Sequence, residues 1–509
     1  MTAPHDPPAP TTTGTPDEQS PVGVVIGSIA VLLLLASLDQ TIVSTALPTI
    51  VADLGGLDHL GWVVTAYILA STVAAPLYGK LGDLYGRRVM VFFSVGIFLL
   101  GSILCGLAGS MTFLILSRAI QGLGGGGLFV LSLSIIADVI PPKDRGKIQG
   151  VFAGVFGLSS VIGPLIGGWF VEVASWHWIF FVNLPFGLLA LAGFFFGFKA
   201  HPDRVAHKID YAGAALLSVA LGGLVLVTSL GGRSVDWGDM RLWLVIAIAG
   251  LAFIAFFQVE RRAAEPVLPL SLFRLNVFSV TSAIGFVSGA IMFGALTFIP
   301  VYLQIAKGAS PTESGWQLIP MTIGILTAST LSGNYMGRTG RYRILPMIGL
   351  SVSAVGLLVL TQLDAQTAPP LLWVALALIG AGLGTVFPVV TTAVQNTVPR
   401  DQIGTATAAG LMFRQIGGSV AVALFGAIFA ARMAAELGGG AEGFANVAEL
   451  GPQMLGALPE ATRALISAAV SNALHPIYWI AVVLAVIGVA LTLILREVPL
   501  TGRMVPRGE

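Results

Sequence analysis

Residues 79–88 read GKLGDLYGRR, and residues 333–343 read GNYMGRTGRYR. Aligned on their first glycine, both stretches follow the pattern Gly-x3-Asp/Gly-x2-Gly-Arg, with Gly337 standing where Asp83 stands. In each case a long apolar run precedes the stretch and another follows it. Internal repeats of this kind are common in proteins that cross a membrane several times, so the pair predicts a chain built from two related halves.

The composition is that of a membrane protein. Of the 509 residues, 55% are hydrophobic and 10% are charged, whereas a soluble domain carries roughly 25% charged residues. The net charge of +1 gives no indication of a nucleic-acid partner. Cys105 is the only cysteine and the six histidines are scattered, so the sequence predicts neither a disulfide framework nor a metal site.

Fourteen apolar runs are long enough to cross a bilayer, since a spanning helix needs about 20 apolar residues. The predicted spans are 22–49, 60–79, 89–109, 112–139, 148–172, 177–198, 211–230, 240–259, 277–305, 316–337, 344–363, 371–397, 403–431 and 476–495. One set of connecting loops contains nineteen of the 26 Lys and Arg residues, and the other set contains five. The positive-inside rule therefore predicts that both termini are cytoplasmic. All nine tryptophans then fall at or near the outer ends of spans, where an interfacial residue is expected.

The spans divide the chain into two six-helix bundles and an extra pair of helices. The predicted boundaries are a disordered cytoplasmic tail at 1–21, an N-terminal bundle at 22–198, two additional spans with their linkers at 199–275, a C-terminal bundle at 276–496 and a cytoplasmic tail at 497–509. The first tail contains no Lys or Arg and so lacks the basic region of a secretory signal. For the long outer connection at 432–475, an amphipathic helix or hairpin on the membrane surface and an irregular loop both remain open.

Asp39 lies inside the apolar stretch AVLLLLASLDQTIVSTALPTI at 30–50. A carboxylate at that depth costs roughly 2.5 to 3.5 kcal/mol on insertion scales, and such residues are usually functional. Asp39 lies roughly 15 Å and Arg118 roughly 10 Å from the outer ends of their spans, at 1.5 Å per residue, so the two can meet. Burial favours the protonated acid, and a nearby guanidinium favours the carboxylate. The pair predicts a site that exchanges a proton when the helices move; a static pair that only fixes helix packing is the alternative.

Five short motifs, taken in chain order, carry a resemblance to a known family. They are LDQTIVSTALPTI (38–50), GKLGDLYGRRVM (79–90), RAIQGLGGGG (118–127), GLSSVIGPLIGGW (157–169) and WHWIFFVNLPFG (176–187). Together they resemble the fourteen-span drug:proton antiporters of the major facilitator superfamily, the EmrB/QacA group, over about residues 22–496. The resemblance implies an all-α integral membrane protein with the MFS fold, in which two six-helix bundles have two extra helices between them. It also implies a proton-coupling role for Asp39 and Arg118. Two positions depart from the group's pattern, because His177 stands where Arg is common and Gly337 removes the acid from the second loop.

Polar residues near Asp39 are candidates for a substrate cavity. They are Gln40, Thr41, Ser44, Tyr67, Gln121 and Asn183. A mostly apolar pocket with few polar groups suits a lipophilic ligand, although each of these side chains could equally make an ordinary hydrogen bond between helices. Arg414 lies about eleven residues into span 13 with no acid at its depth. We expect it to bond backbone carbonyls or Gln415, to extend toward the interface, or to contact an anion or a head group in the cavity.

A second group of residues predicts a gate on the cytoplasmic side. It consists of Gly79, Asp83, Gly86, Arg87, Arg88, Asp138 and Arg145. A carboxylate is stabilised at a helix N-terminus, and the resemblance places Asp83 against span 13 near Gly404. A solvated charge cluster that only sets the topology is the alternative. In span 5, close packing and a bend are predicted at Gly157, Gly163, Pro164, Gly167 and Gly168, which the resemblance identifies with an antiporter motif.

These observations predict a proton-coupled multidrug efflux antiporter that exports lipophilic or cationic small molecules across the cell membrane by alternating access. Its energy source is the proton-motive force, with no bound cofactor. An exporter or flippase of lipids or lipid-linked precursors with the same fold is the alternative. An intramembrane enzyme is not predicted, since no Ser/His, paired-Asp or metal set lies at one depth. The expected partners are the lipid bilayer, protons and the cargo, without nucleic acid, and the chain is expected to act as a monomer.

Overall fold

The computed structural model describes residues 22–55, 60–197, 210–231, 235, 238–364, 366–436 and 459–500, and this part of the chain is helical almost throughout. Its helices are α1 (Val22–Leu54), α2 (Leu60–Tyr85), α3 (Arg87–Gly106), α4 (Met111–Val139), α5 (Pro142–Val173), α6 (Trp178–Phe181), α7 (Asn183–Gly197), α8 (Tyr211–Leu230), α9 (Met240–Glu260), α10 (Asn276–Val301), α11 (Pro311–Gln317), α12 (Ile319–Thr339), α13 (Ile344–Leu360), α14 (Pro369–Thr397), α15 (Ile403–Glu436) and α16 (Glu460–Leu493). Short 3-10 turns lie at Leu270–Arg274 and Arg400–Gln402, and a π-helical turn at Tyr302–Ala306 extends α10.

A helix lies at each of the fourteen predicted spans, with α6 and α7 sharing the sixth and α12 forming most of the tenth. Among the described residues, eleven helical segments are long and apolar enough to cross a membrane. The other three are α5, α12 and α13. Of these, α13 has only 17 residues, while α5 and α12 are the least apolar of the long helices. A multi-pass membrane protein is confirmed, and the exact number of spans stays a prediction.

The helices pack as two bundles with a hairpin beside them. In the N-terminal bundle, α2 and α3 pack on α4, and α1 packs on α5 and α7; in the C-terminal bundle, α10 packs on α15, and α14 packs on α12 and α13. The hairpin of α8 and α9 contacts both bundles, because α8 packs on α2 and on α15. Its apolar side chains join a core cluster with residues of α14 and α15, which fixes the extra pair against the bundle interface.

The two repeated loops each contain a glycine with a positive φ at the same position of the pattern. Gly86 of the first copy has a φ of 90° and a ψ of 141°, and its counterpart Gly340 in the second copy has a φ of 68° and a ψ of 9°. Glycine adopts a positive φ at little cost. The first glycines of the copies also match, since Gly79 lies against α15 and Gly333 lies against Gly146 of α5. We call the end of the molecule that carries both loops the latch end.

Two stretches near the C-terminus differ from the simple pattern of spans and tails. The last helix begins at Glu460, sixteen residues before the predicted span at 476–495, because the apolar side chains of Ile466 and Val470 are buried and Ser467 donates a hydrogen bond to the Ala306 carbonyl at 2.6 Å. Residues 437–458 of the predicted outer connection, like the tails at 1–21 and 501–509, lie outside the described residues.

The start of the predicted C-terminal tail is packed against the latch end. The Glu497 carboxylate accepts hydrogen bonds from the backbone N–H groups of Tyr342 and Arg343, at 2.8 and 3.2 Å, at the beginning of α13. The Leu500 N–H donates to the Gly340 carbonyl at 2.9 Å, and the Leu500 side chain is buried. The chain therefore crosses the second repeated loop before it leaves the described part of the molecule.

Candidate functional site

Asp39 lies at the centre of a hydrogen-bond network inside the N-terminal bundle, and it is fully buried. Its Oδ2 accepts from Arg118 Nη1 at 2.7 Å. Its Oδ1 accepts from Gln121 Nε2 at 2.7 Å and from Asn183 Nδ2 at 3.0 Å. The predicted contact between the acid of α1 and the arginine of α4 is therefore present. Three donors and one full positive charge stabilise the ionised carboxylate in a site that water does not reach.

The Arg118 side chain is held from several directions. Its Nη1 also donates to Gln121 Oε1 at 2.6 Å, and its Nε donates to the Val63 carbonyl of α2 at 3.3 Å. The guanidinium carbon lies 4.3 Å from the centre of the Tyr67 ring, a distance at which a cation is attracted to the ring face. Arg118 thus links the acid of α1 to α2 and α4, and a displacement of α1 relative to these helices changes the charge balance at Asp39.

Ser102 of α3 completes the network, although nothing in the sequence pointed to it. Its Oγ accepts from Gln121 Nε2 at 2.8 Å and from Asn183 Nδ2 at 3.1 Å. Close helix packing makes these contacts possible, since a side chain at Gly101 would collide with the backbone of Gln121. The only signal was a hydroxyl within an apolar run, and many serines of this chain share that feature.

The predicted cavity residues separate into two groups. Tyr67, Gln121 and Asn183 contact the Asp39–Arg118 pair and are buried, so in this conformation they stabilise the pair and do not line an open cavity. Gln40 is exposed, while Thr41 donates to the Ser159 carbonyl of α5 at 3.1 Å.

The side chain of Ser44 lies outside the described residues.

Arg414 occupies a different site, in a cavity bounded by α10, α14 and α15. Its guanidinium carbon lies 5.0 Å from the centre of the Phe387 ring. The neighbouring Gln415 does not pair with Arg414. It donates instead to Thr72 Oγ1 of α2 at 2.6 Å, across the interface between the two bundles.

Asp83 joins the two bundles at the latch end. Its Oδ1 accepts from the Gly404 N–H at 2.9 Å, and its Oδ2 accepts from the Thr405 N–H at 2.7 Å and from Thr405 Oγ1 at 2.9 Å. The carboxylate thus caps the N-terminus of α15, where free N–H groups and the helix dipole favour a negative charge. Arg87 forms an ion pair with Asp83 and donates from Nε to Asp138 Oδ2 at 3.1 Å.

The backbones of α2 and α15 approach closely beside this cap. A Cβ atom at Gly79 would lie 2.6 Å from the Cβ of Ala408 and 2.7 Å from the Gly404 carbonyl oxygen. Since ordinary van der Waals contact is longer, only glycine fits at position 79 while the latch is closed. Gly79 and the Asp83 carboxylate therefore both contribute to the contact between α2 and the start of α15.

The remaining predicted gate residues act within the N-terminal bundle. Arg88 donates to the Phe195 carbonyl of α7 at 3.0 Å. Arg145 is buried and donates to the carbonyls of Ile140 and Ala137 at 3.0 and 2.6 Å, which fixes the turn between α4 and α5. These two arginines therefore stabilise the bundle to which they belong and make no described hydrogen bond across the interface.

Further hydrogen bonds between the bundles were not identified from the sequence. Gln149 of α5 donates to Thr392 Oγ1 of α14 at 3.3 Å, and Gln395 of α14 donates to the Leu133 carbonyl of α4 at 3.1 Å. With the contacts of Asp83 and Gln415, the described hydrogen bonds between the bundles all lie within about 20 Å of the latch end, at 1.5 Å per residue. The described conformation is closed at that end.

In α5, the predicted packing motif is described only in part. Gly163 lies directly against the Thr41 side chain of α1, and a Cβ at this position would collide with it. Gly167 is buried, and a Cβ at Gly168 would meet no atom within 4 Å. The packing environments of Gly157 and Pro164 lie outside the described residues.

Two helical bundles with long apolar helices, buried charges and hydrogen bonds that join the halves at one end form the architecture of a multi-pass membrane protein. The chain belongs to the Major Facilitator Superfamily, whose family model matches residues 29–422. Among its relatives, the uncharacterized MFS-type transporter Rv1877 of Mycobacterium tuberculosis is 41% identical over 490 residues, which cover 95% of this chain and 71% of that protein. The multidrug transporter protein MdtP of Bacillus subtilis is 38% identical over 417 residues, which cover 82% of this chain and 76% of that protein.

Solved structures support the same fold. The proton:xylose symporter XylE matches with a TM-score of 0.62 at 14% identity, over 94% of this chain and 96% of that one. At this identity the likeness extends to the fold alone. The relatives and the solved structure are all transporters, and this chain is accordingly a transporter and not an enzyme.

Proposed function

We propose that this protein is a proton-coupled antiporter that exports lipophilic or cationic small molecules, of the fourteen-span EmrB/QacA type. The network around Asp39 and Arg118 is the observation that carries the proposal. A buried acid that touches a guanidinium, and is surrounded by the helices that would move, can change its protonation when that contact changes. The efflux role is supported by relatives such as MdtP, whose name describes a multidrug transporter.

The proposed cycle uses the pair as follows. While Arg118 contacts Asp39, the carboxylate is ionised and held by three donors. When α1 shifts relative to α4 while the site faces the outside, the carboxylate loses part of this stabilisation and takes up a proton from that side. After the bundles rearrange, return of the guanidinium expels the proton into the cytoplasm. Cargo that binds only in one of these states is then moved against its gradient by the proton-motive force, without a bound cofactor.

We place both termini in the cytoplasm of a plasma-membrane protein, from the distribution of Lys and Arg. We also propose that the protein acts as a monomer. In this orientation the latch end is cytoplasmic, and the described conformation is closed toward the cytoplasm. The contact between Asp83 and the N-terminus of α15 then acts as the inner gate. The fourteen helical positions also suit this arrangement, because an even number of spans returns the chain to the side on which it began.

A lipid is the second candidate cargo, and a lateral groove supports it. The groove lies between α2 and the α8–α9 hairpin, has a volume of ≈ 380 Å³ and is almost entirely apolar. Val73, Gly222 and Ile248 are among its lining residues, all within helices long enough to cross a membrane. An acyl chain could enter such a groove directly from the bilayer.

The test is transport by the purified full-length protein in proteoliposomes under an imposed pH gradient. Ethidium and a fluorescent phosphatidylglycerol are compared as cargo for the parent, for Asp39→Asn and for Asp144→Asn. The Asp144 carboxylate is exposed and contacts only Lys147 of the same helix, at 3.3 Å, so this variant is a matched control for the loss of one acid. Asp39→Asn should abolish gradient-driven transport, whereas Asp144→Asn should transport like the parent. Accumulation by Asp39→Asn at the parent rate would refute proton coupling through this residue.

A further inference from the structure

The cavity between α10, α14 and α15 has one charged wall. It has a free volume of ≈ 20 Å³, and its lining is mostly apolar, with valines of α14, Phe387 and Gly410 among the contributors. Its polar lining consists of Thr391, Thr407 and Arg414, with no carboxylate. Few polar groups in an apolar pocket is the usual composition of a site for an amphiphilic molecule.

Arg414 differs from the other half-buried or buried arginines of the described bundles. Arg118 and Arg87 each contact a carboxylate, and Arg145 donates to two backbone carbonyls. Arg414 has no described hydrogen bond or ion pair, and its only described partner is the face of the Phe387 ring. A guanidinium inside a membrane-spanning bundle is costly unless it is paired, and it carries five N–H donors that match carboxylate and phosphate geometry.

Local packing fixes where the guanidinium lies. A Cβ at Gly289 of α10 would collide with the Arg414 backbone, so α10 and α15 are in close contact at this depth. One helical turn toward the latch end, a Cβ at Gly410 would meet no atom within 4 Å, and this glycine lines the cavity beside Arg414. The charge therefore borders a narrow cavity that is walled mainly by apolar side chains.

We propose that Arg414 binds the anionic head group, a carboxylate or a phosphate, of an amphiphilic cargo in a conformation in which this narrow cavity is wider, with the apolar part of the cargo along the valines of α14. The inference rests on the proposed export function and narrows its cargo, because the cavity then favours amphiphiles that carry an acidic group. The same head-group chemistry could come from a small lipophilic acid or from an anionic lipid, and the experiment below distinguishes these sources.

Binding to the purified full-length protein in nanodiscs of phosphatidylcholine tests the proposal. The probes are dansylaminoundecanoic acid, its trimethylammonium counterpart of the same chain length, and short-chain fluorescent phosphatidylglycerol. Arg414→Gln should weaken the carboxylate probe about tenfold or more, since a hydrogen bond to a charged group is lost together with its charge. The same variant should leave the cationic probe unchanged or bind it more tightly, and Arg414→Lys should bind the acid better than Arg414→Gln does.

Arg432→Gln is the matched control, because Arg432 lies on the same helix and is exposed outside the cavity. It should bind all three probes like the parent. If Arg414→Gln does not give a monodisperse protein, Gly410→Leu keeps the charge and fills the space beside it, and should weaken binding of both anionic probes. Equal affinity of the folded variant and the parent for both anionic probes would overturn the proposal. If Arg414→Gln weakens binding of the dansyl acid alone, the cargo is a small lipophilic acid. If it weakens binding of phosphatidylglycerol alone, the cargo is an anionic lipid.

These binding measurements need no proton gradient. If the Arg414 variants bind the anionic probes like the parent, the transport test of proton coupling with Asp39→Asn still stands. If Asp39→Asn transports like the parent, the binding result at Arg414 still stands.

Discussion

Replacing Asp83 by Asn should open the latch between the two bundles. The carboxylate accepts three hydrogen bonds from the first residues of α15 and forms an ion pair with Arg87. An asparagine offers one acceptor oxygen, so either the Gly404 side or the Thr405 side of the contact loses its partner. The loss of one charge-assisted hydrogen bond costs roughly 1.5 to 3 kcal/mol, and the loss of the charge at the helix N-terminus costs about 0.3 to 1 kcal/mol more.

The closed state should thus lose roughly 2 to 4 kcal/mol relative to the open state, which changes their ratio about 30- to 1000-fold. Double electron–electron resonance measures this change. Spin labels at Tyr85→Cys and Arg341→Cys, both exposed at the latch end of different bundles, report the separation in a Cys105→Ala background. The label distance should lengthen in Asp83→Asn and stay unchanged in the control Asp144→Asn. An unchanged distance distribution in Asp83→Asn, in folded protein, would refute the latch.

Three further substitutions test other contacts. Adding Gly337→Asp to Asp83→Asn should partly restore the short distance between the spin labels. A Cβ at position 337 would lie 3.0 Å from Lys147 Cε and 3.3 Å from the Lys143 carbonyl oxygen, at the first turn of α5. A label distance in the double variant as long as in Asp83→Asn alone would contradict this prediction. Gln121→Leu should lower the free energy of unfolding by roughly 1 to 3 kcal/mol, because the substitution leaves buried donors and acceptors around Asp39 unpaired. A melting temperature equal to that of the parent would exclude this destabilisation. Glu497→Ala should lower stability by about 0.5 to 2 kcal/mol through loss of the cap at the start of α13, which thermal unfolding detects, with the exposed Glu436→Ala as the control.

The positions of the helices and the repeat were accessible from the sequence because both rest on short-range patterns. Long apolar runs located the helices, and the two equivalent glycines of the repeated loops, Gly86 and Gly340, both have a positive φ. The contact between Asp39 and Arg118 followed from their depth in the bilayer, since two opposite charges in an apolar bundle have few other partners. The position of Asp83 near Gly404 came from the family resemblance, because no local pattern links residues 321 positions apart.

The partners of neutral polar groups were not accessible in this way. Ser102, Gln149 and Gln395 lie among many similar residues, and their contacts depend on which helix faces lie together. Gln415 bonds to Thr72 of the other bundle and not to the adjacent Arg414, an outcome that only the interface geometry decides. The continuity of α16 from Glu460 into the last span was not predicted because Glu460 and Arg463 interrupt the apolar run, although the helix buries one face from Ile466 onward.

Coupled flux in the absence of an imposed pH gradient tests the proton exchange at Asp39 most directly. Vesicles that contain the protein and the pH dye pyranine are given an inward gradient of ethidium, and the internal pH is followed. The parent and Asp144→Asn should alkalinise the interior as ethidium enters in exchange for protons, while Asp39→Asn should show no change in pH. Alkalinisation by Asp39→Asn at the parent rate would show that another group carries the proton.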